Sequence, residues 1–325
     1  DMRKELEARN FSVLSRALQQ ALVMTAAAGE QAIVLLNRRG YSTFVMCRDC
    51  GQTITCPHCA VAMVYHKKNE DLRCHYCGNT MPLPQECPNC HSRRIKYFGS
   101  GTQKAEEQLQ QLPEVRVLRM DQDSTVAKFA HADILRRFAD GAANVLIGTQ
   151  MVAKGHDIPN VTLVGALAAD LSLNAVDYRA GERTFQLLTQ AAGRAGRGDR
   201  PGHVIFQTYD PDNPILQLAV TQDYDTFAKR ELQERKNYFY PPFAQMLKLQ
   251  VVDKDEGAGL ALAQQVVFYL QSLKLQGKLE DLLIAGPFPS LVAKAYDLYR
   301  FNVLLKARDL KETKEALLNS EFKEK

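Results

Sequence analysis

The chain has 325 residues, enough for about two domains. Its 46% apolar content is that of an ordinary globular protein, and no apolar run reaches the ~18 residues a membrane span needs. Formal net charge is +4, but if all eight cysteines hold zinc as thiolates the balance falls to about zero; global basicity therefore does not argue for a nucleic-acid partner, and only local patches could.

The charged opening, Asp1 to Lys4, lacks the apolar core of an export signal and is expected to be a fragment boundary. Helical spacing predicts a helix over 14–28, ending near Gly29. The apolar run 31–37 predicts a buried parallel strand. Arg38 and Arg39 follow at its carboxyl end, where open α/β sheets bind ligands, and are candidates for a phosphate backbone.

All eight cysteines fall between Cys47 and Cys90, in four C-x-x-C pairs: Cys47/Cys50, Cys56/Cys59, Cys74/Cys77 and Cys87/Cys90. A two-residue gap is too short for a relaxed disulfide but lets both thiolates grip one ion. The inner pairs have nearly zinc-ribbon spacing. We expect two structural zinc ions in a module over 44–96, nested so that Cys56, Cys59, Cys74 and Cys77 hold one and Cys47, Cys50, Cys87 and Cys90 the other. Sequential pairing, which needs the five residues between Cys50 and Cys56 to close the first site, stays open at this stage. Four thiolates leave no open coordination position, so both sites read as structural. His58, His66, His75 and His91 are then surplus as ligands and read as surface residues.

Gly99 to Lys104 leads into a helix, with Lys104 and the preceding glycines as possible backbone contacts to DNA. The chain then alternates between strands over 115–119, 144–148, 162–168 and 203–207 and helices over 130–139 and 179–192. Such alternation predicts a parallel sheet covered by helices on both faces, with the cysteine module inserted. After two further helices, over 214–220 and 224–237, the Pro241-Pro242 pair marks a boundary. Beyond it, a strand over 246–253, a helix over 260–275, strands over 282–286 and 301–306 and a helix over 310–318 predict a small two-layer α+β domain. The divisions are thus 1–43 (start of the lobe), 44–96 (zinc insertion), 97–237 (rest of the lobe) and 238–325 (C-terminal domain). Lys294, Arg300, Lys306 and Arg308 are candidates to line the edge of that last sheet for nucleic acid.

Two motifs carry chemistry. From Gln190 to Arg197 the sequence reads Q-x-x-G-R-x-G-R, with Arg194 and Arg197 three residues apart and expected on one helix face. Guanidinium forks match phosphate oxygens, and an arginine supplied to a transferring phosphoryl group is worth roughly 10³–10⁵ in rate. Upstream, a strand runs into Thr149, with Gly155 and Asp157 at a fixed interval.

Together these segments resemble motifs V and VI of superfamily 2 helicases, which lie in the second RecA-like lobe. With the cysteine pairs inside that lobe, and with Asn37 to Tyr41, Gly99 to Lys104, Gly148 to Gly155 and Tyr240 to Phe243, the whole chain resembles the C-terminal half of the PriA (primosomal protein N′) replication-restart helicases. The resemblance implies an ATP- and magnesium-dependent 3′→5′ DNA helicase of the cytoplasm that recognises stalled forks and initiates primosome assembly. It implies forked and single-stranded DNA, single-stranded-DNA-binding protein and primosome and helicase-loading proteins as partners, and no membrane. Arg194 and Arg197, with Gln190, would face the ATP γ-phosphate, Gly155 and Asp157 would lie near the nucleotide and Thr149 near DNA. The sequence holds no G-x4-G-K-[ST] loop and no DExH-type motif, so the fragment is expected not to hydrolyse ATP alone. The alternative is a non-catalytic zinc-ribbon module that binds forks and primosome proteins.

Overall fold

The computed structural model of the chain describes residues 1–36, 45–47, 49–58, 61–66, 71–74, 78–97, 102–120, 130–149, 152, 158–175, 177–198 and 200–324. Helices α1 (Met2–Glu7) and α2 (Arg16–Ala27) open the chain, and α2 is capped by the Ser15 side chain on the Leu18 amide. Strand β1 (Gln31–Leu36) follows. After the cysteine-rich module come α3 (Thr102–Gln110), β7 (Val117–Met120), α4 (Ala130–Ala139), β8 (Val145–Gly148), β9 (Val161–Leu167), α5 (Ala180–Ala192) and β10 (His203–Phe206). The five strands form one parallel sheet in the order β10-β9-β1-β8-β7. β1, β8 and β9 are buried along their whole length, as expected of strands covered on both faces.

The alternation of side chains divides the core into two layers. Ile33, Leu35, Leu146, Val164 and Ala166 pack against Phe138 of α4 and Phe185, Leu188 and Ala191 of α5. Ala32, Val34, Val145, Ile147 and Leu163 pack against Leu18 and Leu22 of α2 and Leu109 of α3. This is the predicted sheet with helices on both faces, the RecA-like lobe.

The cysteine-rich module is built from β2 (Val45–Cys47), β3 (Val64–His66), β4 (Asp71–Arg73), β5 (Thr80–Pro82) and β6 (Ile95–Tyr97). β2 pairs with β6 at its base and β3-β4-β5 form a meander. The module sits directly on the lobe: a Cβ on Gly51, at φ +78°, would lie 2.3 Å from the Tyr209 carbonyl oxygen.

Two helices, α6 (Pro214–Thr221) and α7 (Tyr224–Asn237), lead to a three-stranded antiparallel sheet of order β11-β13-β12, with α8 (Glu256–Leu275) across it and α9 (Lys311–Leu318) at the end. β11 spans Gln245–Asp253, β12 Leu283–Ala295 and β13 Leu298–Ala307. Three expectations need correction here. The helix expected from 260 begins four residues earlier, because Asp255 caps it by accepting from the Ala258 amide at 2.7 Å. The strand expected to stop at Gly286 runs on to Ala295 as a sheet edge, where Pro287 and Pro289 cost no ladder bond. Lys306 lies on the central strand with its Nζ 3.7 Å from the Tyr240 ring centre, so it serves a packing joint and not an exposed edge.

Candidate functional site

The cysteines fold as repeated knuckles. The amide of Cys47 donates to the Gln52 carbonyl, Cys56 to Val61, Cys74 to Asn79 and Cys87 to Ser92, at 2.8–2.9 Å. In three of them the residue four on from the first cysteine is left-handed: Gly51, Gly78 and His91. In the outer pairs this tight turn presents both thiols to one side. Cys47, Cys50, Cys87 and Cys90 converge with all sulfurs within 4.8 Å of one another. Cys47 and Cys90 sulfurs are 3.6 Å apart, and those of Cys50 and Cys87 3.5 Å. A tetrahedral ZnS4 site with bonds of ~2.3 Å has sulfurs ~3.8 Å apart, so the donor set fits zinc.

The electrostatics agree. Burial raises the Cys50 thiol, but the Gln52 backbone and the Asn89, Cys90 and Cys87 groups outweigh it and bring the pKa to about 7. Cys90 is helped toward ionisation by the Ser92 backbone, yet burial and the Cys50, Cys47 and Cys87 sulfurs push it up to about 12. Thiolates this close repel, and only a central dication lets all four ionise near neutral pH.

Of the inner set, Cys56 and Cys74 are buried in the module core, while Cys59 and Cys77 lie outside the described residues. Among the surplus histidines, His58 and His91 are exposed, but His66 is partly buried and its pKa is lowered by burial and by Arg73. His75 lies outside the described residues.

α5 buries Phe185, Leu187, Leu188 and Ala191 and turns Arg183, Gln186 and Gln190 outward. It ends at Ala192, before both motif arginines. Arg194 and Arg197 therefore sit on turns beyond the helix and not on its face, as the spacing had suggested. Their geometry is nonetheless fixed. The Arg194 amide bonds Ala191, the Gly196 amide bonds Val161 at the start of β9, and the Arg197 Nε donates to the Gly193 carbonyl at 2.7 Å. Gly196 has φ +72°, and a Cβ there would lie 2.4 Å from the Gly202 nitrogen; a Cβ on Gly198 would meet the Pro159 carbonyl at 2.8 Å. The glycines let the arginine-bearing turns cross 200–202 and touch the residue two beyond Asp157. Arg200 pairs with Glu30, whose carboxyl is held below its ordinary range by Thr162 and by this arginine.

Thr149 continues directly from β8, whose last residue Gly148 lies opposite Met120 and Leu35. The threonine thus stands at the carboxyl end of the sheet, and the arginine turns at the amino end beside Val161. Lys104 is in the first turn of α3. Arg38, Arg39, Gly155 and Asp157 lie outside the described residues.

Sequence reasoning missed the joint at the other end of α5. The Arg235 guanidinium of α7 donates to Glu182 at 2.6 Å and Glu231 at 2.8 Å and lies over the Tyr178 ring, which stacks on Tyr240 at 4.8 Å. Lys306 donates to the Tyr238 carbonyl at 3.2 Å from the far sheet. Aromatic residues flanking a double proline were the available signal.

Among the described residues no helix is long and apolar enough to cross a membrane. Residues 56–82 match the family described as the PriA DNA helicase Cys-rich region (CRR) domain, and residues 83–199 match the helicase conserved C-terminal domain. The second match holds Thr149, Gly155, Asp157, Gln190, Arg194 and Arg197. The Replication restart protein PriA of Bacillus subtilis (strain 168) is 47% identical over 307 residues, 94% of this chain and 38% of the relative. That of Synechocystis sp. is 44% identical over 311 residues, 94% of this chain and 37% of the relative. That of Haemophilus influenzae is 38% identical over 293 residues, 90% of this chain and 40% of the relative. The chain spans about two-fifths of the length of these relatives. On this similarity along nearly its whole length, the chain belongs to the family of the PriA replication restart helicases.

Proposed function

We propose that the chain supplies the second lobe, zinc module and C-terminal domain of an ATP-dependent 3′→5′ DNA helicase that recognises stalled forks and initiates primosome assembly in the cytoplasm. The observation that supports this reading is the position of Q-x-x-G-R-x-G-R at the end of α5, with Gln190 and Arg197 exposed and the turn tied to the start of β9 by the bond from the Gly196 amide to Val161. There Arg194 and Arg197, with Gln190, present guanidinium forks to a phosphoryl group held by an opposing lobe and stabilise the charge that develops on transfer. Gly155 and Asp157 attend the nucleotide. Thr149, Arg38, Arg39 and Lys104 attend the DNA backbone. ATP and magnesium serve the whole protein; by itself the chain lacks their phosphate loop.

In this reading the divisions at 44, 97 and 238 are functional ones. Two structural zinc ions, on Cys47/Cys50/Cys87/Cys90 and Cys56/Cys59/Cys74/Cys77, stiffen the insertion; the matching backbone pattern of the four knuckles supports the second ion. The insertion and the C-terminal domain engage forked and single-stranded DNA, single-stranded-DNA-binding protein and helicase-loading proteins. A hypothetical Cβ on Gly51 would meet Tyr209 and one on Gly78 would lie 3.2 Å from Phe288, so the insertion packs on both the lobe and the C-terminal sheet; the alternative reading is a non-catalytic module that binds forks and primosome proteins.

Fork unwinding by the full-length protein tests both roles at once. Arg194→Ala should abolish strand separation and leave fork binding intact. Parallel loss of binding would instead place Arg194 on the DNA.

A further inference from the structure

A cavity of about 310 Å³ lies where the zinc module, the helicase lobe and the linker to the C-terminal sheet meet, with Gly51 and Thr53, Asp170 and Asn174, and Arg235 and Tyr240 contributed from the three sides. Its charge is one-sided. Among the described residues Asp170, Asp177, Asp210, Glu231 and Glu234 line it against one cation, Arg235. Most of these groups are already engaged. Asp177 is bound by Arg179 and Arg183, Arg235 by Glu182 and Glu231, and one Asp210 oxygen accepts from Asn213 at 3.0 Å.

Asp170 is the exception. Its side chain hangs from the 3-10 turn Ala169–Asn174 and is 3% exposed. Oδ2 accepts from the Tyr209 amide at 3.2 Å, but Oδ1 meets no donor among the described residues. A buried acceptor of this kind costs free energy until a donor reaches it, and a charged donor repays most. Burial, with the neighbouring Asp210 adding to it, pushes its pKa up to about 6, against the Asp170 and Tyr209 amides and the Thr208 hydroxyl, which favour the carboxylate.

The surroundings restrict that donor. Among the described residues only the cysteine cluster brings three His, Cys, Asp or Glu side chains within 4.8 Å, so Asp170 is not part of a three-carboxylate cluster. The lining is instead rich in acidic side chains, and the faces of its stacked Tyr178 and Tyr240 are already taken by each other and by the Arg235 and Lys306 cations. One buried carboxylate oxygen in such an acidic cavity suits an organic cation that carries N–H donors.

We propose that this cavity binds an alkylammonium or guanidinium group, which donates to Asp170 Oδ1 among the acidic side chains of the lining, supplied by a free polyamine or by a lysine or arginine side chain of a partner protein. Occupancy ties the Gly51–Thr53 turn of the zinc module to the lobe through one shared ligand.

The test is calorimetric titration of the zinc-loaded chain with spermidine and, separately, with arginine amide. Either should bind saturably, and Asp170→Asn, which keeps the shape and removes the charge, should weaken binding at least tenfold, while the exposed control Glu312→Gln does not. Spermidine alone binding assigns a free polyamine, and arginine amide alone binding assigns a side chain. Unfolding without ligand checks that the Asp170→Asn protein is folded. Equal binding by wild type and Asp170→Asn, no saturable binding by either probe, or an equal Asp170-dependent response to Mg²⁺ alone would overturn the proposal.

Discussion

The Arg235 guanidinium bridges Glu182 and Glu231, at 2.6 Å and 2.8 Å, and so ties the helix that ends in the arginine motif to the helix that leads into the C-terminal sheet. The Arg235 and Glu231 side chains are only 14% and 12% exposed. Burial holds the Glu231 pKa up even with its partner present.

Removing that bridge should therefore be expensive. Arg235→Ala leaves Glu231 buried beside Glu182 without a donor and strips a cation from the Tyr178 ring. We expect a loss of about 2 kcal/mol in urea unfolding, less than for a fully buried pair because Glu182 is 35% exposed. Arg235→Lys should recover only part of it, since a point charge cannot serve two carboxylates as a planar fork does. Stability unchanged in Arg235→Ala would show that the joint is incidental.

The proposed two-zinc, nested reading has a direct chemical consequence. On that reading Cys47→Ala should release one zinc ion and make Cys50, Cys87 and Cys90 open to alkylation, while Cys56, Cys59, Cys74 and Cys77 stay protected. Peptide mapping after labelling reads the answer. Labelling of Cys56 and Cys59 in that variant would mean sequential pairing.

Asp170 sets a pH dependence whose sign follows from its raised pKa. The folded carboxyl holds its proton more tightly than the unfolded one, so protonation stabilises the fold as pH falls from about 6 toward 3.8, and that contribution is lost as pH rises through about 6. Above it, the buried carboxylate costs roughly 3 kcal/mol. Without added cation, Asp170→Asn should be more stable than wild type at pH 7.5, and the gap should shrink by pH 5. A gap independent of pH would contradict the assignment.

The arginine turns depend on a backbone that only glycine adopts cheaply. Gly196→Ala places a methyl 2.4 Å from the Gly202 nitrogen at φ +72° and should cost at least about 1–2 kcal/mol locally. Hydrogen exchange at the Gly196 amide, bonded to Val161, should quicken, and ATP hydrolysis by the full-length protein should fall. Wild-type exchange and activity would mean that the crossing tolerates a side chain.

The lobe was legible because β1, β8 and β9 are continuous apolar runs with helical periods between them, and the outer cysteine cluster because four C-x-x-C pairs allow few geometries. What escaped has physical causes. The three-residue spacing of Arg194 and Arg197 reads as helical, yet the helix stops at Ala192 with Gly193 as its cap at φ −66°, ψ 2°. Gly257 and Gly259 look like breakers, yet Gly259 is where α8 crosses close to Asp253 and Phe301. Pro287 and Pro289 hide a strand that, at a sheet edge, needs no N–H from them. Asp170 and the Tyr178–Tyr240 stack depend on contacts between segments far apart in sequence, which no local pattern encodes.

The central claim is that the arginine turn serves phosphoryl transfer across a two-lobe cleft. Fork-stimulated ATP hydrolysis by the full-length protein, wild type against Arg197→Ala, tests it most directly. The expected result is a loss on the order of 10³ in turnover with fork binding intact. An unchanged rate would contradict the account and leave Q-x-x-G-R-x-G-R as a structural turn that closes the lobe against Val161.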